Sequence, residues 1–285
     1  MEDYIIILNK PKNITSFSYI QKYRKELGIK KVGHAGTLDP MAEGLMIVMA
    51  NNATKFSDYL MKHSKTYYVE MELGYETSTF DLEGEITNKV INDFDIDINT
   101  LNQVLSNYKG EIIQIPPMFS AIKKNGVKLY NLARKGIEIE IEGRKVIISD
   151  IYDVNINGKI ISFRTDVSSG TYIRSLVRDI GRDLKTYATM TKLVREKIDD
   201  FTFDDVNKKI DVENIFKYEK INVDQILYKH LYNGMTKIIE LKDKNIVDKY
   251  LKVYFDKKFI GIVEIIKKIG YTYYIKRSKY FKELR

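Results

Sequence analysis

Hydrophobic positions change their period several times along the chain, and each change marks an expected element. Tyr4 to Leu8 is an unbroken aliphatic run and predicts a strand. Thr15 or Ser16 can cap a helix carrying Phe17, Ile20, Arg24 and Leu27, closed by Gly28. Lys30 to Glu43 has no period and holds two glycines and a proline, so it reads as a loop. Leu45 to Ala50 predicts a buried strand, and Asn51 or Asn52 then caps a helix with Phe56 and Leu60 facing inward. From Thr66 to Leu73 the pattern alternates: Tyr67, Val69, Met71 and Leu73 share one face, Tyr68, Glu70 and Glu72 the other.

Ser78 to Asn88 reads as a polar loop. Asn99 or Thr100 starts a helix with Leu101, Val104, Leu105 and Tyr108 on one side. Strands follow at Lys145 to Ile156 and Ile160 to Val167, then a helix from about Tyr172 to Leu184 with Ile173, Leu176, Val177, Ile180 and Leu184 on its apolar side. Arg174, Arg178 and Arg182 recur every four residues on another side, by default a solvated face. Asp204 to Asp224 is polar and reads as a helix plus linker. The last block predicts strands at Val253 to Phe255, Phe259 to Ile266 and Tyr271 to Ile275, with a turn at Asp256-Lys257-Lys258. Strands and helices mix without regular βαβ alternation, so the class is α+β.

Composition narrows the picture without changing it. With 285 residues, 44% hydrophobic and 30% charged, the chain is ordinary globular protein. It has no cysteine, hence no disulfide framework and no thiolate metal site, which suits a reducing cytoplasm. It opens Met1-Glu2-Asp3, where a secretory signal wants a basic patch, and no apolar run approaches a membrane span. A cytoplasmic protein is expected. The net charge of +8 favours a polyanionic partner. Between Met118 and Gly136 stand Lys123, Lys124, Lys128, Arg134 and Lys135 with no acidic residue. Between Lys267 and Arg285 there are seven basic residues against Glu283 alone. Either run, taken by itself, is also what a solvated lysine face looks like.

Candidate chemistry concentrates between Lys31 and Gly44, in Lys-Val-Gly-His-Ala-Gly-Thr-Leu-Asp-Pro-Met-Ala-Glu-Gly. Gly33 and Gly36 let the backbone approach a ligand closely. Pro40 restrains Asp39 to an extended or turn conformation. One carboxylate is thereby presented on a stiff loop ahead of a buried strand. Taken alone, Asp-Pro equally opens a turn in which the side chain caps the next amides. His34, His63 and His230 have no metal-ligand spacing.

The whole string, however, resembles the signature of the TruB family of tRNA pseudouridine synthases. Four further segments resemble that family in its order. They are Lys10-Pro11-Lys12-Asn13-Ile14-Thr15-Ser16, Lys65-Thr66-Tyr67-Tyr68-Val69, Ile115-Pro116-Pro117-Met118-Phe119-Ser120-Ala121 (continuing to Leu129-Tyr130 and Ala133-Arg134), and Ser168-Ser169-Gly170-Thr171-Tyr172-Ile173-Arg174. Two positions depart from the family. Asn13 stands where glycine is usual, and its tolerance of a left-handed turn should preserve the bend. Glu43 stands where a small hydroxyl residue is commoner, and suits RNA only if it points outward.

The resemblance implies a mixed, mainly antiparallel sheet with flanking helices over residues 1–225, an RNA-gripping thumb at about 118–141, and a small β domain of the PUA type over 229–285. It implies isomerisation of the uridine at position 55 in the tRNA T-loop. Asp39 would be the nucleophile, Tyr67 would stack on the base and take part in proton transfer, and Arg174 would pair with Asp39. Tyr172 and Leu193 would line the pocket, His34 would reach into the T-loop, and Gly36 and Lys10 would belong to the substrate-binding set. Lys123, Lys124, Lys128, Arg134 and Lys135 would meet the RNA backbone. The implied partner is the T-stem-loop of tRNA, engaged by a monomer without guide RNA, membrane, metal or organic cofactor. Chemistry on a base hidden in a stacked loop needs it flipped out. A carboxylate can hold one fragment covalently while the other turns.

Overall fold

The structure is a computed structural model and describes residues 2–91, 93–124, 126–137, 139–241 and 246–281. Its strands are β1 (Tyr4–Lys10), β2 (Val32–His34), β3 (Glu43–Ala50), β4 (Lys65–Leu73), β5 (Tyr75–Thr77), β6 (Ile86–Lys89), β7 (Gly110–Gln114), β8 (Lys123–Lys124) and β9 (Val127–Lys128). They continue as β10 (Arg144–Asn157), β11 (Ile160–Val167), β12 (Ala188–Ile198), β13 (Lys209–Asp211), β14 (Lys220–Asn222), β15 (Lys237–Glu240), β16 (Tyr250–Phe255), β17 (Lys258–Ile269) and β18 (Thr272–Phe281). The helices are α1 (Ser16–Glu26), α2 (Ser57–Leu60), α3 (Ile98–Ser106), α4 (Leu129–Ala133), α5 (Ile173–Asp183) and α6 (Gln225–Tyr232).

The main sheet runs β13-β1-β3-β12-β4-β11-β10-β7, with β2 added on β3. Its pairings are antiparallel except β3 with β12. This is the mixed, mainly antiparallel sheet expected for the class. Strands β1 and β3 read as unbroken aliphatic runs because both of their faces are covered. Ile6, Leu8, Met46 and Val48 pack with Ile20 of α1, Leu101 and Leu105 of α3, and Leu176 and Ile180 of α5. Ile5, Ile7, Leu45 and Ile47 pack on the other side with Phe56 and Leu60. Strand β4 alternates buried and half-buried residues throughout, with Tyr67, Val69, Met71 and Leu73 inward. The central strand β12 was not legible, because bulges at Met190/Lys192 and Arg195/Lys197 break its alternation.

A second sheet, β14-β16-β17-β18-β15, has its own core around Leu231, Leu251, Val253, Tyr273 and Ile275. Two expectations are corrected here. Asp204 to Asp224 holds no α-helix: it forms short 3-10 turns with β13 and β14. The second unit does not start at 229, because β14 pairs with β16 and α6 packs on this sheet, so it begins near Lys220. Nor do the two sheets have separate interiors. Tyr254, Phe259 and Ile262 of the second sheet are buried in the same cluster as Ile5, Ile7 and Phe56 of the first. Asn125 and Glu138 of the thumb segment, and Lys282, Glu283 and Arg285 of the basic terminal run, lie outside the described residues.

This shared core generates a prediction. Phe259→Ala should cost about 3 kcal/mol, the usual range for truncating a buried phenylalanine. Urea unfolding should remain one transition that shifts as a whole. Two transitions, with only one of them shifted, would show that the sheets unfold independently.

Candidate active site

The loop between β2 and β3 carries Asp39, and the N-terminal motif grips it on both sides of that residue. Ser16 Oγ donates to the Leu38 carbonyl and accepts from the Leu38 amide, both at 2.8 Å. The Asn13 amide donates to the Pro40 carbonyl at 2.8 Å. Asn13 has φ +63°, so the left-handed bend expected there is kept without glycine. Lys10 is fully buried, and its ammonium donates to the carbonyls of Pro11 (2.9 Å), Ile14 (2.9 Å) and Pro40 (3.3 Å). Burial pushes its pKa down to about 8, against the pull of Asp39. Lys10 is thus committed to these loop carbonyls and does not line the cleft that holds Asp39.

A second cation holds the loop from the sheet side. Arg195, on β12, is 1% exposed. Its Nε donates to the Leu45 carbonyl at 2.6 Å and its Nη2 to the Gly36 carbonyl at 3.1 Å. Gly44 pairs with Arg195 at φ +111°, and a Cβ there would fall 2.3 Å from the Arg195 carbonyl oxygen. Only glycine lets β3 and β12 approach this closely.

Arg174 projects from the first turn of α5 and is 5% exposed. It meets Asp39 in a fork, Nε to Oδ2 at 2.8 Å and Nη2 to Oδ1 at 3.2 Å. Nη1 also donates to the Thr79 carbonyl (3.1 Å) and Nη2 to the Phe119 carbonyl (2.9 Å). A second carboxylate, Asp81, stands 3.6 Å from Nε. Asp81 is 1% exposed and is fixed by Thr79 Oγ1 at 2.5 Å and the Glu83 amide at 3.0 Å. Sequence reasoning missed it, because Asp81-Leu82-Glu83-Gly84 reads as a polar turn, and only tertiary packing buries its carboxylate. A third of the Asp39 side chain faces the opening. Burial still lifts its carboxyl above the ordinary range; Arg174 opposes that lift and Asp81 adds to it.

These groups form the floor of a cleft of about 800 Å³ whose walls include Tyr67, Tyr172, Leu193, Thr79 and Ser120. Tyr172 stands at the start of α5, where Gln114 clasps its backbone: the Tyr172 amide donates to Oε1 at 2.8 Å, and Nε2 donates to the Tyr172 carbonyl at 3.1 Å. Burial raises the Tyr172 pKa and the neighbouring Ser120 hydroxyl opposes the rise. A hollow of about 470 Å³ around Tyr152, Arg164, Asp166 and Glu196 lies on the other face of β4. Its polar groups are paired with each other, Arg164 with Glu196 at 2.9 Å and Thr66 with Asp166 at 2.6 Å. Of the residues lining the cleft it shares only Lys65.

The remaining sites divide into two groups. Tyr67, Tyr172, Leu193, Gly36 and Arg174 meet in the cleft with Asp39. His34, on β2, is half-buried and does not line the cleft; burial together with Arg195 lowers its pKa, opposed by a hydrogen bond with the Gly36 backbone. The thumb segment forms the β8–β9 hairpin and α4, anchored by the buried Leu129. Lys128 and Arg134 lie over the Tyr130 ring, and Tyr130 and Arg134 border the cleft. Lys124 donates to the Glu140 carbonyl at 2.6 Å, while Lys123 and Lys135 are exposed.

The arginine stripe on α5 is buried at Arg174 and Arg178, and exposed but ion-paired at Arg182. Arg178 is buried, with Nε on Asp179 (2.7 Å) and its guanidinium over the Phe80 ring. Arg182 forks onto the buried Glu76 at 2.9 and 2.8 Å. Glu43 pairs with Lys12 at 3.6 Å, so its charge is partly met at the loop's edge.

The chain is similar to several known proteins. A family model described as TruB family pseudouridylate synthase (N terminal domain) matches residues 24–173. The chain is 41% identical over 276 residues to tRNA pseudouridine synthase B of Clostridium tetani, covering 90% of this chain and 94% of that protein. It is also 41% identical over 293 residues to the protein of that name from Fusobacterium nucleatum, covering 95% and 99%. Among solved structures, an H/ACA RNP bound to a substrate RNA containing 2′-deoxyuridine has a similar chain. That chain has a TM-score of 0.67 at 20% identity, covering 98% of this chain and 85% of that one, and the likeness concerns the fold.

The shared guanidinium makes the two carboxylates interdependent. Asp81→Asn keeps the side chain's shape and removes a negative charge that lifts the Asp39 carboxyl. The Asp39 pKa should then fall, as read by carbon-13 NMR titration of its carboxyl. An unchanged or raised pKa would mean that Asp81 does not act on Asp39 through charge.

Proposed function

The chain belongs to the TruB family of pseudouridylate synthases, and on that premise we propose that it isomerises the uridine at position 55 in the T-loop of tRNA to pseudouridine, with Asp39 as the covalent nucleophile. The observation that carries this reading is the bidentate Asp39–Arg174 pair on the floor of a cleft walled by Tyr67 and Tyr172. In the proposed reaction the bond from C1′ to N1 breaks, the base turns, and a bond from C1′ to C5 forms. The proton on C5 leaves and N1 gains one, so atoms balance without redox partner, energy source or cofactor. Asp39 bonds to C1′ or to C6, and the same residues serve either attack.

Each role has a physical basis in the site. A nucleophilic carboxylate must stay ionised where water is excluded, and a permanently charged guanidinium supplies that. Tyr67 presents an aromatic surface for the flipped base and a hydroxyl for proton transfer. Tyr172 and Leu193 close the sides, and His34 reaches into the opened T-loop. The thumb residues Lys123, Lys124, Lys128, Arg134 and Lys135 meet phosphates, while the second sheet meets the acceptor arm. Hydrolysis of the glycosidic bond is disfavoured although Asp81 puts a second carboxylate near Asp39. Its oxygens are engaged by Thr79, the Glu83 amide and Arg174, so Asp81 is not free to activate water. The proposed setting is a cytoplasmic monomer acting on tRNA without guide RNA.

The test is pseudouridine formation in a T-stem-loop RNA. Wild-type protein should convert the target uridine. Asp39→Asn, which keeps size and removes the nucleophilic charge, should give no detectable turnover with RNA affinity within a few-fold. The wild-type rate should fall on acidification at a pH above the ordinary carboxylate range, because the lifted Asp39 must be ionised to act. Turnover by the variant near the wild-type rate would refute the mechanism.

A further inference from the structure

Arg174 and Arg178 stand one turn apart on α5, and each guanidinium bridges the same two segments. Arg174 reaches the Thr79 carbonyl on the turn after β5 and the Phe119 carbonyl at the root of the thumb. Arg178 repeats this one turn further on. Its Nη2 donates to the Ile115 carbonyl at 3.2 Å, and its guanidinium lies 4.9 Å from the centre of the Phe80 ring, within cation–π range. Arg178 is buried, Phe80 is half-buried, and neither lines the cleft. Phe80 stands between Thr79 and Asp81 with φ +63°. A left-handed angle is an outlier for so bulky a residue. The peptide groups around it are bonded. The Phe80 amide donates to the Thr77 carbonyl at 3.1 Å, the Phe80 carbonyl accepts from the Met190 amide at 3.0 Å, and Thr77 Oγ1 donates to the Asp81 carbonyl at 2.6 Å.

The N–Cα bond of Phe80 separates the Thr79 carbonyl from Asp81, so its φ sets the angle between them. Both groups face one guanidinium: Arg174 Nη1 donates to the carbonyl at 3.1 Å, and Nε stands 3.6 Å from the Asp81 carboxylate. A return of φ to negative values turns one of the two away from Arg174. Strained angles of this kind persist only where the surroundings over-determine them. We propose that Phe80 and Arg178 are positioning residues for the reaction. Arg178 clasps the Phe80 ring and keeps the turn left-handed, and the turn presents the Thr79 carbonyl and Asp81 to Arg174. Arg174 in turn sets the direction of Asp39. This rests on the proposed function and deepens it, since it extends the apparatus that aims the nucleophile to two residues that touch neither substrate nor Asp39.

The test compares two substitutions at one position. Phe80→Leu keeps a bulky side chain, and with it the strain, but loses the aromatic face. Phe80→Gly loses the whole side chain yet adopts the left-handed angle freely. The single-turnover rate on saturating T-stem-loop RNA should fall about tenfold in Phe80→Leu, with affinity within a few-fold of wild type. Phe80→Gly should be clearly the faster of the two. A ring that merely fills space predicts the reverse order. Arg178→Met should lose about as much rate as Phe80→Leu, and adding Phe80→Gly to Arg178→Met should recover most of that loss, since glycine needs no clasp. If Arg178→Met does not fold, the order at position 80 decides alone. Given a wild type that makes pseudouridine, three results overturn the inference and leave the proposed function standing. These are Phe80→Leu at least as fast as Phe80→Gly, affinity falling as far as rate, or an Arg178→Met loss that Phe80→Gly does not recover. A wild type that makes no pseudouridine in the stem-loop defeats both.

Discussion

A guanidinium taken out of water must have its N–H groups and its charge answered by the protein, or burying it costs several kcal/mol, of order 3–5 when a partner is missing. Arg174 meets that demand with four groups from three places in the chain. They are Asp39 on the loop before β3, the Thr79 carbonyl and Asp81 on the turn after β5, and Phe119 at the root of the thumb. The arginine itself comes from α5, whose apolar side packs on the sheet through Leu176, Val177 and Ile180. The cation thus ties the wall, the floor and the thumb of the cleft to one rigid helix. A side chain that satisfies itself this fully also fixes the direction of the Asp39 carboxylate, and chemistry at that carboxylate depends on the direction.

The loop carrying Asp39 has no regular hydrogen bonding of its own, and its shape is imposed from outside. The Asn13 amide, Ser16 and Lys10 clamp Leu38 and Pro40 on either side of Asp39. Arg195 fastens Gly36 and Leu45 to β12, the strand that Gly44 approaches closely. Distant segments thereby converge on a single carboxylate.

Local pattern and tertiary demand account for what the sequence disclosed. Strand β4 was legible residue by residue because one of its faces is buried and the other is not, which writes a two-residue period into the chain. The class and the positions of α1, α3 and α5 followed from similar patterns, and the mainly antiparallel sheet from the family resemblance. Strand β12 was hidden by its bulges, and the start of the second sheet by the short, polar β14, which is held by pairing with β16. Asp39, Tyr67, Tyr172, Leu193 and Arg174 were named from motifs, and they do converge in one cleft. Asp81, Arg195 and Gln114 were not named, since nothing local distinguishes a buried, bonded polar side chain from a solvated one. The same blindness made the α5 arginines look solvated, although Arg178 and Arg182 are bonded within the protein.

The central claim is that the fork geometry of Arg174, beyond its charge, holds Asp39 ready to react. Arg174→Lys keeps the charge and cannot make the fork. Its single-turnover rate on saturating T-stem-loop RNA tests the claim most directly, with affinity measured alongside. Loss of about two charge-assisted hydrogen bonds predicts a rate at least about a hundredfold below wild type, with affinity within a few-fold. A rate within a few-fold of wild type would contradict the account, because charge alone would then suffice.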